Sequence, residues 1–224
     1  MKLKPENLDV YFALQNNFDY LKKSSVQFKG VLLDVGCGQM PFKEFILSSV
    51  LSVTQYISLD LPNNVYGISP DLTWDGITIP MPSESVDTII TTQFLEHHPE
   101  PNVVISEMHR VLRGDGFLFL TVPFLWPFHD VPSDQYRFTP FSLERMFRQA
   151  KFSNISIHPY GGWDASLATM LGLWVRRRNM SPFVRRLLSL LFLPVIKSLH
   201  KYDRPPIEFH ESSMTQGLWV TCQK

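Results

Sequence analysis

The run Val31-Leu32-Leu33-Asp34-Val35, stopped by Gly36-Cys37-Gly38, limits what this chain can fold into more than any other stretch. A short, nearly continuous apolar run ending at a glycine turn reads as a strand buried on both faces, the pattern of a parallel sheet. A second such strand, Gln55–Asp60, ends in a carboxylate 24 residues beyond Gly36. Parallel strands that finish side by side, one in a glycine bend and one in an acid, describe a pocket for a ribose-bearing cofactor at the carboxyl edge of the sheet. Gly36 and Gly38 let backbone approach a ligand with no Cβ in the way. Asp60 is placed to accept both ribose hydroxyls in a bidentate, charge-assisted pair. Asp34, at the end of the first strand, can either meet an amine or fix the turn.

The rest of the chain repeats the strand–helix alternation. A helix is expected from about Glu6 to Lys23, another after Pro41, and a short strand near Val65–Ile68. Val86–Thr91 is the next strand. The helix near Pro101 buries Val104, Ile105, Met108, Val111 and Leu112 and stops at Arg113-Gly114-Asp115-Gly116, where a glycine allows a left-handed turn. Phe117–Val122 is a wholly apolar strand, Thr139-Pro140 opens a helix to about Lys151, and Ile155–His158 and Leu218–Cys222 are the last strands. This order implies a mostly parallel sheet with helices on both faces. With 224 residues, 44% of them hydrophobic, the chain suits one α/β domain. Its parts are an N-terminal helix (1–28), a cofactor-binding core (29–160), a helical lid or insertion (161–210) and a last strand (211–224).

The cofactor is narrowed by what the glycine turn lacks. A dinucleotide fingerprint requires Gly-x-Gly-x-x-Gly, and Pro41 occupies its sixth position here. A nicotinamide-dependent oxidoreductase is therefore the weaker enzyme reading.

From Leu32 to Ile157 the chain resembles the class I S-adenosylmethionine-dependent methyltransferases, in the small-molecule branch near the ubiquinone- and biotin-pathway enzymes. The resemblance rests on LLDVGCGQMPF, YISLD, WDGITIPMPSESVDTII, TTQFLEHHPEP, EMHRVLRGDGFLFLTVPF and FTPFSLERMFRQAKF in that order. It implies a Rossmann-like fold with a seven-stranded sheet whose last strand is antiparallel. It implies S-adenosyl-L-methionine as cofactor and methyl transfer to an acceptor. Carried over residue by residue, Gly36 and Gly38, with Asp34 and Cys37 in the same turn, would pass the methionine and ribose. Asp60 with Leu61 would hold the ribose, and Asp75 with Gly76 and Ile77 would meet the adenine, Asp71 being the fallback. Gln93 would lie beside the methionine part, covered by Phe94 and Leu95. Many relatives have a third glycine where this chain has Met40, a departure that bears on loop shape.

On the acceptor side, the long loop Pro123–Thr139 begins at the ligand edge of the sheet, and similar H-x-x-P-x-D-x-x-R-F-T loops occur among polysaccharide and secondary-metabolite methyltransferases. His129 is the general-base candidate, by its natural pKa. His97, Trp126, Asp134, Tyr136 and Arg137 are candidate substrate contacts, although Asp134 and Arg137 can simply pair. Asp87 is read as structural. The expected acceptor is a small molecule or glycan, methylated on oxygen in a biosynthetic reaction. A non-catalytic subunit that binds S-adenosylmethionine or membrane is the alternative from a different class.

The formal charge is zero, so no global field favours nucleic acid as partner. Residues 176–204 nevertheless hold eight Lys/Arg against one acid, Asp203, giving that segment +7 and the remainder −7. Arg185, Arg186 and Lys197 flank the apolar run Leu187–Ile196, so 183–199 reads either as a lid helix or as a peripheral membrane contact. That run is too short to span a bilayer, and Met1–Glu6 lacks the apolar core of a secretory signal. The two cysteines, Cys37 and Cys222, show no Cys-x-x-Cys pairing. Neither a disulfide framework nor a structural zinc site is expected, no metal ligand is assigned, and a cytoplasmic setting, at most peripheral to a membrane's inner face, is the default.

Overall fold

The computed structural model describes residues 2–62 and 66–224. Seven strands form one sheet in the order β3-β2-β1-β4-β5-β7-β6. They are β1 (Gly30–Val35), β2 (Val53–Asp60), β3 (Leu72–Thr73), β4 (Val86–Thr92), β5 (Leu112–Pro123), β6 (Ser153–Tyr160) and β7 (Gly217–Gln223). β1 runs parallel to β2 and β4, β2 to β3, and β4 to β5. The last strands are antiparallel, and the Lys224 amide donates to the Gly116 carbonyl (3.2 Å), so the end of β7 meets the start of β5. The helices are α1 (Tyr11–Ser24), α2 (Lys43–Ser49), α3 (Pro101–Val111), α4 (Pro140–Gln149), α5 (Trp163–Arg177) and α6 (Pro182–Tyr202).

By packing, the chain divides into two compact units. The larger comprises residues 20–123, 127–157 and 219–224 and holds the parallel strands. Its interior is built from Leu32, Leu33 and Val35 of β1, Ile89 and Ile90 of β4, and Leu118, Phe119, Leu120 and Val122 of β5, covered by Val104, Ile105 and Met108 of α3 and Leu143 and Phe147 of α4. Each such side chain contributes about 1.5–3 kcal/mol by leaving water. The smaller unit comprises residues 1–19, 124–126 and 158–218, where α5 and α6 pack together and bury Leu8, Ala168 and Ile196.

Two polar locks set the register of the larger unit. Asp87, on β4, accepts the Val31 amide (2.8 Å) and the Arg113 guanidinium (2.7 Å), while Thr88 Oγ1 bonds both the Lys29 amide and its carbonyl. Arg110, on α3, donates to the carbonyls of Met81 and Ile79 and pairs with Glu107, pinning the segment that leads into β4.

Local chemistry moves several boundaries from their expected places. The N-terminal helix begins at Tyr11, because Pro5–Asn7 forms a 3-10 turn in which the Asn7 side chain accepts the Lys4 amide (2.7 Å). Val65 lies outside the described residues, residues 66–68 form no strand, and the short strand is β3 at Leu72–Thr73. The left-handed residue after α3 is Asp115 (φ 62°) rather than a glycine, and β5 starts directly at Leu112. Thr139 does cap α4, its Oγ1 accepting the Ser142 amide (3.2 Å).

Candidate functional site

Gly36 and Gly38 close β1 with left-handed φ of 69° and 49°. A Cβ at Gly36 would overlap the Phe94 ring, so glycine is required there by both conformation and contact. Asp60, at the end of the neighbouring β2, accepts the Gly38 amide through Oδ2 (2.8 Å) and the Leu61 amide through Oδ1 (2.7 Å). The expected juxtaposition of glycine bend and acid is therefore present, joined by a direct hydrogen bond. Oδ2 also accepts the Cys37 thiol weakly, at 3.9 Å, whereas Oδ1 keeps a second acceptor direction for a ligand. Met40, where a third glycine was expected, itself adopts φ 52°.

Asp34 is buried and accepts the Tyr56 hydroxyl. Burial is the main cause of its raised pKa, about 7, the Tyr56 bond opposes it, and the Asp60 charge adds to it. Cys37 is pushed up to about 12 by burial and by the charges of Asp34, Asp60 and Asp71, so its thiol stays protonated at neutral pH. Asp71 is held low by the hydroxyl and amide of Ser58, a lock between β2 and β3. Asp75 accepts the Ile77 and Thr78 amides (2.8 and 2.9 Å), closing an exposed turn. Gly76 offers its carbonyl to His98 Nε2 (2.6 Å), and Trp74, Phe94 and His98 gather their rings within 6.3 Å of one another. Gln93 (φ 53°) is tied to Thr121 at the end of β5 through its amide and side chain.

A second cluster lies beyond β4. Leu95–His97 forms a 3-10 turn of its own, separate from α3, which begins at Pro101. Its carbonyl at Glu96 accepts the amides of Gln135 and Tyr136. Asp134, buried, takes the Arg137 guanidinium in a bidentate pair (2.6 and 2.8 Å), accepts the His129 amide, and faces His129 Nδ1 at 3.3 Å. The Arg137 bonds hold Asp134 down near about 2 against some burial. Asp134 and Arg137 do pair, and His129 joins them. Tyr136 donates to the Pro99 carbonyl and stacks on Phe138. His97 sits against His129 with ring centroids 4.8 Å apart, and burial followed by the His129 charge holds it below the ordinary histidine value. Trp126 belongs to the smaller unit. Glu96, which the sequence analysis does not single out, is fully buried, and that burial raises it to about 8.

A methyltransferase domain family model matches residues 33–120, which run from the β1 strand through most of β5. Over that segment the chain is similar to the methyltransferase domain family, which supports a class I S-adenosylmethionine-dependent methyltransferase. Among solved structures, a SAM-dependent methyltransferase from Archaeoglobus fulgidus is 16% identical with a TM-score of 0.60, covering 95% of this chain and 94% of that one. A phosphoethanolamine N-methyltransferase of Haemonchus contortus, bound to phosphomonomethylethanolamine and S-adenosylhomocysteine, is 13% identical with a TM-score of 0.57, covering 94% and 53% respectively. The [4+2]-cyclase SpnF is 18% identical with a TM-score of 0.54, covering 93% and 80%. At such identities the likeness is one of fold. A search of curated proteins finds no match.

S-adenosylmethionine is the cofactor of this methyltransferase domain, and the β1–β2 edge suits it. Asp60 and Asp71, with Asp34 behind them, gather carboxyl groups at this edge, and their charges add to the burial that raises the Cys37 thiol. A sulfonium and an ammonium relieve that field, whereas the pyrophosphate of a dinucleotide would add to it. Asp60 would hold the sugar hydroxyls, Asp75 or the Gly76–Ile77 backbone the adenine edge, and the Gly36–Gly38 backbone the methionine part. Tyr56 and Ser58, partners of Asp34 and Asp71, carry no signal in the sequence, because they point to carboxylates 22 and 13 residues away.

Proposed function

We propose that this methyltransferase moves the methyl group of S-adenosylmethionine to an oxygen atom of a small molecule or glycan. The observation that carries the reading is the Asp60 carboxylate bonded to the Gly38 amide across two adjacent strand ends. When bound, the cofactor supplies an activated methyl donor. The protein's own part is alignment, worth up to about 7–11 kcal/mol in favourable cases, and help with the acceptor's proton, worth roughly 10²–10⁴-fold for a hydroxyl. His129 is the proposed base, its ring oriented by Asp134 at 3.3 Å from Nδ1. His97, Tyr136 and Arg137 belong to the loop cluster proposed to face the acceptor, and Trp126 is the remaining proposed contact.

Calorimetry with S-adenosylmethionine, S-adenosylhomocysteine and NAD tests the cofactor, and transfer of labelled methyl to a metabolite extract tests the reaction. Binding of the first two ligands, with label recovered in ether linkages, is the expected outcome. Preference for NAD would defeat the reading, and binding without any transfer would favour a non-catalytic subunit.

A second reading concerns where the acceptor is found. On α5 the exposed large apolar residues are Trp163, Leu167, Met170 and Trp174, and on α6 they include Phe183, Leu187, Leu190, Leu191 and Val195. Each set follows helical spacing along one stripe, and the α6 set lies within the segment that carries +7. Among the described residues no helix is long and apolar enough to cross a membrane. Apolar stripes with flanking arginines support peripheral contact with an anionic membrane, and hence a lipid-linked acceptor.

A further inference from the structure

Glu96 presents a problem that the methyl-transfer reading leaves unsolved. Its side chain is 0% exposed, and neither carboxylate oxygen has a hydrogen-bond partner among the described residues. An unsatisfied buried acceptor costs about 1–3 kcal/mol and more when charged, so a native structure that keeps one has a use for it. Besides the charge of Arg137, which is itself paired with Asp134, the groups beside it are potential metal ligands. One atom each of Glu96, His97 and His129 lie within 4.8 Å of one another. His97 Nε2 stands 3.9 Å from Glu96 Oε1 and 3.8 Å from Asp130 Oδ2, too far for a hydrogen bond to either.

We propose that Glu96, His97 and His129 bind a divalent transition-metal ion, with Asp130 at the rim as a fourth ligand. Metal–ligand distances of about 2.0–2.2 Å bring donors to roughly 3–3.5 Å from one another, so ligand atoms that now stand within 4.8 Å of one another need to move inward by up to about 1 Å each. Two imidazoles and a carboxylate select an ion of the manganese-to-zinc series over magnesium or calcium, which take oxygen ligands. The second shell is already built. Asp134 faces His129 Nδ1 and is itself locked by Arg137, which leaves the lone pair of that imidazole on Nε2. The turn is fastened to the loop by the Gln135 and Tyr136 amides on the Glu96 carbonyl, so the three ligands are held although they come from two chain segments. The sequence conceals the site because Glu96 and His97 are adjacent, a spacing that belongs to no metal motif, and His129 follows 32 residues later. Resting on the proposed methyltransferase reading, the ion would supply Lewis acidity for the acceptor hydroxyl and would replace His129 as the group that eases loss of its proton, since the Nε2 lone pair of His129 would then be on the ion.

The test uses the tag-free, full-length protein without cofactor or acceptor, titrated with Co²⁺ and followed by visible absorption and calorimetry. One equivalent bound, with absorption bands typical of low coordination number, is expected. Glu96→Gln and His129→Ala should each weaken binding at least tenfold, and Asp134→Asn by about 10–100-fold through the ring it orients. His210→Ala, a histidine outside the cluster, should bind as the parent does. S-adenosylmethionine affinity, measured on the same proteins, reports both their folding and the cofactor site. Failure of the metal site therefore stays distinct from failure of the methyltransferase reading. No stoichiometric Co²⁺ binding by the parent protein, or unchanged binding in Glu96→Gln, overturns the proposal.

Discussion

At Asp60 one carboxylate faces two demands: it anchors the Gly38 amide, and in the proposed complex it also accepts sugar hydroxyls. Asp60→Ala removes both, and charge-assisted bonds of about 1.5–3 kcal/mol predict a roughly 10–100-fold or greater loss of S-adenosylmethionine affinity by calorimetry. Asp60→Asn, which keeps an acceptor oxygen for Gly38, should fall between. Asp34 makes a different prediction. Its folded-state pKa of about 7 lies above the unfolded value, so the folded chain holds a proton that the unfolded chain has released between about pH 4 and 7. Stability therefore falls as pH rises through that window, by at most about 4 kcal/mol at 1.36 kcal/mol per unit. Denaturant unfolding at several pH values should show this slope, and Asp34→Asn should flatten it. Met40 is a third case. At φ 52° it bears the left-handed strain of about 1–2 kcal/mol that glycine avoids, against about 0.5–1 kcal/mol of lost chain entropy. Met40→Gly should leave the melting temperature level or slightly raised.

Among the elements, β1 and β4 illustrate what a sequence reveals. The apolar runs of β1, β4 and β5 are legible because burial on both faces leaves no polar alternation to misread. The register that joins them is not, since it depends on Asp87 reaching the Val31 amide and Arg113 across 56 and 26 residues. Although burial opposes ionisation, those partners keep Asp87 below the usual carboxylate range. Asp87→Ala strands a β1 amide and should cost about 1–3 kcal/mol in denaturant unfolding without changing cofactor affinity more than a few-fold. The helix ends divide in the same way. Thr139-Pro140 carries its own cap, whereas the break between Asn7 and Tyr11 and the separate turn at Leu95–His97 follow from side-chain competition and from the tertiary bonds on the Glu96 carbonyl. The glycine bend and Asp60 were readable because strand ends mark themselves. The second cluster was not, because its histidines and acids meet only through the fold of residues 129–137.

For the whole molecule, the fold leaves the reaction to side chains, as a [4+2]-cyclase of similar fold makes plain. The uneven charge gives a prediction at this scale. If the α5 and α6 stripes rest on an anionic bilayer at about 1 kcal/mol per basic residue, Arg185→Glu/Arg186→Glu should lower vesicle flotation by roughly 30-fold or more. Neutral vesicles should float neither protein, and equal flotation of both on anionic ones would exclude the contact. Both native thiols are buried, Cys37 in the cofactor turn and Cys222 in the last strand, and both are pushed well away from ionisation. Alkylating reagents should therefore find almost no target on the resting protein. A single cysteine introduced on the outside of α6 would carry a fluorophore alone, and any slow labelling that remains at Cys37 would time the opening of the glycine bend.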